Sequence, residues 1–243
     1  MVRNLIQFGQ GARRMILRAL CLFLFALPAY AQTVRPLLLE HGTKAQGKFE
    51  LVNDTLLPLN VVLEAKSFSV DERGAIRYRP LDKHIHLKLA RMSFRIPPKQ
   101  SYWVFYEATA DRLPSWFVLY ANFTGYPFKS ASGMNIQLEL PHTVYLLPKG
   151  DLKQPDVELV TAEYRAATRK VVVEVSNQSA LFGRALAAEI SAGREKVTQN
   201  GFPLFPSSHR RVEIDWEGEE PPQKLKLRFA KFTLERPIAV RQE

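Results

Sequence analysis

The sequence has almost no cysteine, and this excludes several kinds of chemistry. Its single cysteine, Cys21, lies in the N-terminal segment 1–31, and the rest of the chain has none. The chain that follows this segment therefore cannot form a disulfide, a thiolate metal site or a catalytic thiol. Small secreted eukaryotic domains often need disulfides to compensate for thin cores, so this lack favours a bacterial protein with adequate hydrophobic cores.

The motifs of the common enzyme classes are also missing. The 12 glycines form neither G-x-G-x-x-G nor a phosphate-binding loop. There is no G-x-S-x-G motif, and the acidic residues are too scattered to indicate a catalytic pair. His84 and His86 have the spacing of two zinc ligands on one face of a strand, but no local pattern supplies a third or fourth ligand. We interpret them as part of a solvated strand face, and we expect no enzyme, no metal site and no cofactor.

Residues 1–31 have the composition of a cleaved signal peptide. Four arginines and no acidic residue accompany the apolar run "ALCLFLFALPAYA", which is too short to span a bilayer comfortably. The run ends in Ala29-Tyr30-Ala31, the small-x-small pattern that signal peptidase cleaves. Arg13-Arg14 leaves twin-arginine export as an alternative to the Sec route. We expect the mature chain to begin at Gln32 and to reside in the periplasm.

Beyond this segment, the charge balance is only mildly basic. Four of the 34 Lys and Arg side chains belong to the segment 1–31, so the mature chain keeps 30 of them against 24 Asp and Glu, spread thinly along its length. This excess is enough to attract acidic partners, but it does not form the basic stripe with interleaved aromatic residues that is typical of nucleic-acid binding. No second apolar run is long enough to span a membrane. We therefore expect neither nucleic-acid binding nor membrane insertion.

Most of the chain alternates apolar and polar residues, which predicts an all-β fold. The alternating runs are bounded by Pro, Gly, Asn and Asp, as in an antiparallel sandwich. The alanine-rich segment 179–193 has some helical propensity, but within a β domain we predict a turn and a strand there. The other predicted strands cover 48–52, 59–65, 84–90, 101–108, 115–123, 157–166, 169–177, 210–216 and 225–234.

The polar segment "KGDLKQP" predicts a linker at 149–155. It contains Gly and Pro and has no apolar period, so it divides the mature chain into two β domains, 32–148 and 156–243. Three Asn-x-Ser/Thr triplets begin at Asn53, Asn122 and Asn177 and match the glycosylation sequon. In a bacterial protein we interpret these as turn residues.

The segment "GMNIQLELPHTVYL", residues 133–146, has the most regular alternation in the chain. Met134, Ile136, Leu138 and Leu140 share one face, and the only charge before Pro141 is on the opposite face. Such a row is either buried in its own sandwich or exposed at a sheet edge, where it could augment the sheet of a partner. The alternation alone favours the buried interpretation.

Five stretches of the chain are informative when they are taken together: "FELVNDTLLPLNVVLEAKSFSVDERGAI", "FRIPPKQSYWVFYEA" and "MNIQLELPHTVYLLP" in the first half, and "VVVEVSNQSALF" and "NGFPLFPSSHRRVEIDW" in the second. They resemble the periplasmic pilus-assembly chaperones, the PapD-like family. The resemblance covers nearly the whole mature chain, and it implies two immunoglobulin-like β-sandwich domains in an L-shaped arrangement.

The resemblance implies a chaperone that binds pilin or fimbrial subunits by donor-strand complementation. In this family, the last strand of the first domain completes the sheet of a subunit that lacks one strand, and its apolar side chains fill the groove. By position, the resemblance makes Met134, Ile136 and Leu138 the donor row, which Leu140 could extend. It also implies delivery to an outer-membrane usher. A periplasmic or surface β-sandwich adhesin or structural protein that binds glycan or envelope components is the alternative.

The resemblance also implies an anchor for the terminal carboxylate of the subunit, and here the sequence departs from the family. The family uses an arginine on the first strand, matched by Arg35, and a lysine for which this chain has Thr143. Threonine can donate one hydrogen bond, but a charge-assisted bond is about twice as strong. Lys44 and Lys149 are candidate substitutes. A second departure is Gln100, which stands where the family usually has an acidic residue.

Overall fold

The computed structural model describes residues 32–124 and 138–241, and in these ranges the chain is all β, as the alternation predicts. No helix there is long and apolar enough to cross a membrane. One 3-10 turn, Gln154–Asp156, precedes β11. The strands are β1 Gln32–Arg35, β2 Leu38–His41, β3 Lys44–Asn53, β4 Leu59–Val70, β5 Ile76–Pro80, β6 Ile85–Leu89, β7 Ser93–Ile96, β8 Ser101–Ala110, β9 Ser115–Thr124, β10 Leu138–Leu146, β11 Val157–Arg165, β12 Lys170–Asn177, β13 Gly183–Ala192, β14 Glu195–Leu204, β15 Ser208–Asp215, β16 Lys224–Arg228, β17 Thr233–Pro237 and β18 Ala239–Arg241.

The strands of the described ranges form four sheets that make two sandwiches. The first sandwich pairs the sheet β1-β3-β8-β6 with the sheet β2-β10-β9-β4-β5, on which β7 also pairs with β4. The second pairs β15-β12-β11-β18 with β14-β13-β16-β17. This confirms the predicted fold class. The predicted linker, 149–155, lies between the last strand of the first sandwich and the first strand of the second; the domain bounds and the L-shaped arrangement stay predictions.

Each sandwich encloses its own hydrophobic core, because alternate residues of its strands face inward. Phe49, Leu51, Phe117 and Leu119 are fully buried in the first core. The second core contains Val173, Ile190, Leu225 and Trp216, with at most 1% of each residue exposed. Burying side chains of this size stabilises the fold by about 1.5–3 kcal/mol each, so the cores supply the main driving force for folding.

A smaller cluster of apolar residues joins the two sandwiches. Tyr145 on β10 packs against Phe182, with ring centroids 4.9 Å apart, and Phe205 contacts Trp116 at 4.7 Å. Polar contacts flank this cluster, since Arg184 forms an ion pair with Glu40. The last strand of the first sandwich is therefore also part of the contact with the second.

The structure corrects three details of the strand prediction. The predicted run 225–234 is two strands, β16 and β17, joined by a turn in which the Phe229 N–H bonds the Phe232 carbonyl at 2.9 Å. Pairing is not wholly antiparallel, because β2 pairs with β10 and β11 pairs with β18 in parallel. Asn122 lies within β9 rather than in a turn. The prediction of a turn and a strand in 179–193 is confirmed by β13.

Asn53 and Asn177 end β3 and β12 at equivalent places in the two sandwiches, each just before a turn, and both are buried. Each donates its amide N–H groups to three backbone carbonyls and accepts bonds from the backbone N–H and the hydroxyl of the residue two positions later. The residue two positions later is Thr55 in the first sandwich and Ser179 in the second. The sequon pattern at these sites thus reflects a buried network in which the last residue of a strand holds the turn that follows it.

We expect Gly201→Ala to destabilise the second sandwich by about 2 kcal/mol or more. A Cβ at Gly201 would meet the backbone carbonyl oxygen of Ala185 and, at 2.6 Å, the carbonyl carbon of Leu186. Backbone atoms in a paired strand cannot move away cheaply, so overpacking is costly. Gly42→Ala is the matched control, because a Cβ there meets nothing within 4 Å. Urea unfolding of both variants measures the difference; equal stabilities would contradict the prediction.

Candidate functional site

The strand β10 lies between two neighbours in its second half. It pairs antiparallel with β9 along its whole length, from Leu138 opposite Phe123 to Leu146 opposite Ser115. On its other side, β2 pairs in parallel with Thr143 to Leu146. In the described ranges, the half of β10 that precedes Thr143 pairs with β9 alone, so its other side is a sheet edge.

Pro141 removes one hydrogen-bond donor from this edge. Thr143 donates its N–H to the Leu37 carbonyl at 2.8 Å, on the side where β2 lies. Because backbone groups alternate in direction along a strand, residue 141 faces the same side, and a proline there offers no N–H. Proline on an edge limits uncontrolled pairing with other chains. A strand added at this edge would therefore extend mainly toward the N-terminal end of β10.

The structure describes only part of the predicted donor row. Met134 and Ile136 lie outside the described residues. Leu138 and Leu140 are half-buried and pack against the core of the first sandwich. They lie on the same face of β10 as the fully buried Val144 and Leu146. The row is thus a continuation of the core-facing side of β10 toward the edge.

A buried polar network fixes the middle of β10. His142 is fully buried; its Nδ1 lies 2.7 Å from the Pro36 carbonyl oxygen, and its Nε2 lies 3.2 Å from the Tyr106 hydroxyl. Because a carbonyl can only accept, Nδ1 carries the proton and Nε2 accepts from Tyr106. His41 Nε2 completes the chain at 3.0 Å from the same hydroxyl. The His142 ring also stacks on Phe49, with centroids 4.4 Å apart.

The network requires a neutral His142. Burial lowers the pKa of His142 to about 4, although its bond to the Pro36 carbonyl opposes this shift. The nearby His41 lowers the pKa further. Burial also raises the pKa of the Tyr106 hydroxyl, so this group stays protonated. Near neutral pH, His142 is therefore an uncharged structural link between β10 and the chain that enters β2.

The two predicted anchor residues lie in different sheets of the first sandwich. Arg35 ends β1, with 68% of its side chain exposed, and its guanidinium lies 3.6 Å from the Glu50 carboxylate. Thr143 on β10 instead lines a cavity between the two sandwiches. The roles of both residues stay predictions. Of the other residues considered for this role, Lys44 lies at the start of β3 and Lys149 in the linker, and both are exposed.

Gln100 does not line this cavity. It precedes β8 and is exposed, and its backbone carbonyl accepts a bond from the Asn53 N–H at 2.9 Å. This bond is made by the backbone, so the departure from the family pattern at residue 100 leaves it in place.

Sequence reasoning missed Arg210, which lines the same cavity as Thr143. Arg210 lies in β15, far along the chain from Thr143 and in a strand that belongs to the other sandwich. No local motif surrounds it, because its place in the cavity depends on how the two sandwiches contact each other. Only the structure could have identified it.

The two histidines considered as zinc ligands have separate partners. His84 Nε2 lies 3.1 Å from the Ser115 hydroxyl, and His86 Nε2 lies 2.8 Å from the Asp111 carboxylate. Among the residues that the structure describes, no group of three or more His, Cys, Asp or Glu side chains could hold a metal ion.

Comparison with known proteins gives matches in structure but none in sequence. No family model and no curated protein matches the sequence. Several solved structures are similar in fold to most of this chain at low sequence identity.

A chain in the complex of the Salmonella enterica SafA pilin with the SafB chaperone has 9% identity and a TM-score of 0.55, covering 87% of this chain and 98% of that one. A chain in the CsuC–CsuE chaperone–tip adhesion subunit complex of Acinetobacter baumannii Csu pili has 10% identity and a TM-score of 0.51, covering 87% and 100%. The class 5 fimbriae chaperone CfaA has 8% identity and a TM-score of 0.51, covering 86% and 99%. The chain thus has the two-sandwich fold of chaperones of pilus assembly.

Proposed function

We propose that this protein is a periplasmic chaperone that binds an exported pilin or fimbrial subunit by donating β10 to the incomplete sheet of the subunit. An outer-membrane usher would then receive the complex. The proposal needs no cofactor and no catalytic step. Two observations support it: the resemblance in sequence, and the likeness in fold, which extends over both sandwiches.

The single observation that carries the proposal is the unequal pairing of β10. Its second half is held between β9 and β2, whereas its first half has β9 on one side and a sheet edge on the other in the described part of the chain. A strand held firmly at one end can present its other end to a partner without losing its place in its own sheet. The His142 network strengthens that hold.

Strand donation also has a driving force at this edge. The half-buried Leu138 and Leu140 keep part of their apolar surface in contact with water. Covering such surface contributes roughly 25 cal/mol per Å², and main-chain bonds to the added strand give the pairing its direction. The subunit would gain in turn, because the donated strand would cover its exposed core.

We expect the double variant Leu138→Asp/Leu140→Asp to lose the complex with its subunit. A carboxylate at either position would be buried against apolar surface without a partner, which costs several kcal/mol. The measurement is tandem affinity purification of the tagged chain from the periplasm, with identification of the bound subunit by mass spectrometry and determination of the stoichiometry. The unmodified chain should yield a one-to-one complex.

The matched control is Leu186→Asp, at an exposed position of β13 in the second sandwich. It introduces the same charge and should leave the complex intact. Circular dichroism of the purified variants establishes whether each is folded. Because Leu138 and Leu140 also pack against the core of the first sandwich, the comparison is made on folded protein only, and a folded double variant that still holds the subunit contradicts the proposal.

A second candidate, a glycan-binding sandwich protein, is favoured by the outer face of the β1-β3-β8-β6 sheet. Trp103 and Phe105 are 44% and 54% exposed there, and Phe105 lines a hollow together with Gln46, Lys88 and Glu107. Aromatic faces and such polar groups together suit a sugar ring. The purification above separates the two candidates, because a glycan-binding protein would yield no stoichiometric subunit.

A further inference from the structure

The hollow on the outer face of the β1-β3-β8-β6 sheet is large enough for a small ligand. Its volume is about 630 Å³, within the roughly 300–1,000 Å³ of pockets for small molecules. β10 belongs to the other sheet of the first sandwich, so a ligand in this hollow leaves the edge of β10 uncovered. The lining includes Gln46, Lys48, Lys88, Phe105 and Glu107.

Phe105 gives the hollow an apolar platform. Successive residues of a strand point to opposite faces, and in β8 the outward positions Trp103, Phe105 and Glu107 are exposed whereas the residues between them are buried. On the β6 side, the Ala90 N–H bonds the Phe105 carbonyl at 3.1 Å, and the methyl side chain of Ala90 is too small to cover the ring. The ring of Phe105 therefore keeps much of its apolar surface in contact with water.

Two lysines at the sides of this platform have no carboxylate partner. The Lys48 Nζ lies 4.6 Å from the centroid of the Trp103 ring, and this cation–π contact holds the ammonium beside the hollow. Glu50, which lies opposite Trp103, instead pairs with Arg35 at 3.6 Å. Within the described ranges, no carboxylate forms an ion pair with Lys48 or Lys88. The hollow therefore presents two positive charges that an anionic ligand can pair.

The other polar groups of the hollow suit hydroxyl groups. Gln46 lies opposite Glu107 across the β3–β8 pair, and Lys88 lies opposite Glu107 on the other side. A glutamine amide can donate and accept hydrogen bonds, and a carboxylate can accept several. An inorganic anion would use the lysines but leave the Phe105 ring uncovered. A neutral sugar would cover the ring but leave the lysines unpaired, so a sugar ring that carries an anionic group uses the whole lining.

We propose that this hollow binds an acidic sugar, with Phe105 against the apolar face of the ring and with Lys48 and Lys88 on the anionic group. The anionic group is a carboxylate, as in a uronic acid, or a sulfate; both offer oxygens that accept bonds from ammonium groups. The proposal rests on the second candidate function and names its class of glycan. It requires no donated strand, so the site is also compatible with a chaperone.

The test uses the free, full mature chain and two pairs of oligosaccharides. Tetragalacturonate carries carboxylates, and its methyl ester is the same chain of sugars without the charge. Sulfated maltotetraose carries sulfates, and maltotetraose is its neutral counterpart. Sodium sulfate is the probe for an anion without a sugar. NMR titration follows the backbone amide signals of Gln46, Lys88 and Phe105 and gives the dissociation constants.

We expect at least one acidic oligosaccharide to give saturable shifts at these residues, and its neutral counterpart to bind about fivefold or more weakly. Lys48→Gln/Lys88→Gln should weaken binding of the acidic sugar by a similar factor. Phe105→Ala should abolish saturable binding, and because Phe105 is exposed its removal leaves the core in place. Lys83→Gln/Lys153→Gln, which removes two exposed lysines outside the hollow, is the matched control and should bind as the unmodified chain does.

The outcomes separate this proposal from the functions above. Saturable binding of tetragalacturonate alone would identify carboxylates as the anionic group, and binding of sulfated maltotetraose alone would identify sulfates. Equal binding of an acidic sugar and its neutral counterpart would overturn the acidic class while leaving glycan binding in place. Sodium sulfate that binds as tightly as the sugars would overturn the role of the ring. The absence of saturable shifts with all four oligosaccharides would overturn both this proposal and the second candidate, whereas purification of the subunit complex tests strand donation independently.

Discussion

Replacing Asn53 with alanine is expected to lower the free energy of unfolding of the first sandwich by about 3 kcal/mol or more. The side chain is fully buried, and its Nδ2 donates to the carbonyls of Leu57, Ile96 and Pro97 at 2.8–3.2 Å. Its Oδ1 accepts from the N–H and the hydroxyl of Thr55 at 3.0 and 2.6 Å. Each buried group left without a partner costs about 1–3 kcal/mol, so the loss of several bonds together is large.

The measurement is urea unfolding followed by tryptophan fluorescence and circular dichroism. Trp103 and Trp116 belong to the first sandwich, and Trp216 lies in the core of the second, so the fluorescence reports the unfolding of both sandwiches. Asn60→Ala, at an exposed position of β4, is the matched control and should change stability by no more than about 0.5 kcal/mol. Equal effects of the two substitutions would show that the turn network does not stabilise the fold.

Acidification from pH 6.5 to 4 is expected to destabilise the first sandwich by about 3 kcal/mol through His142 alone. Burial lowers the pKa of His142 to about 4 in the folded chain, whereas an unfolded histidine titrates near 6.5. The unfolded state therefore binds more protons in this window, and stability falls as the pH falls. The contribution of His142 is fully present above pH 6.5 and is lost by about pH 4.

The variant His142→Gln isolates this effect. It should be less stable at pH 7 because it loses the stacking on Phe49, but its stability should fall less steeply between pH 6.5 and 4. His209→Gln, at an exposed position of β15, is the control for the removal of a histidine and should follow the unmodified chain. Urea unfolding at several pH values gives the slopes. If the free energy of unfolding of His142→Gln falls with pH as steeply as that of the unmodified chain, His142 is not the cause of the loss of stability in acid.

The alternation of apolar and polar residues was enough to predict an all-β sandwich, because sandwiches bury every second residue of their strands. The same rule placed Leu138 and Leu140 on one face of a strand. It could not indicate where that strand stops being covered by a neighbour, since the parallel pairing with β2 joins parts of the chain that are far apart in sequence. The edge that carries the proposed function is therefore a property of the topology rather than of the local sequence.

For the same reason, the sequence could not predict the roles of residues whose contacts come from distant parts of the chain. No local pattern distinguishes His142 from the other scattered histidines, because its partners Pro36 and Tyr106 come from two other parts of the chain. Arg210 enters the cavity from the second sandwich. By contrast, Asn53 and Asn177 bond mainly to nearby turns, and their common spacing to Thr55 and Ser179 was visible in the sequence.

The most direct test of strand donation is the chemical reactivity of a cysteine placed at Leu138. The predicted mature chain has no cysteine of its own, so Leu138→Cys gives a single thiol at the edge, and Leu186→Cys gives a matched thiol on the second sandwich. The account predicts that maleimide labels residue 138 about tenfold or more slowly in the purified subunit complex than in the free chain, while residue 186 reacts equally in both. An unchanged rate at residue 138 in a one-to-one complex would contradict the account.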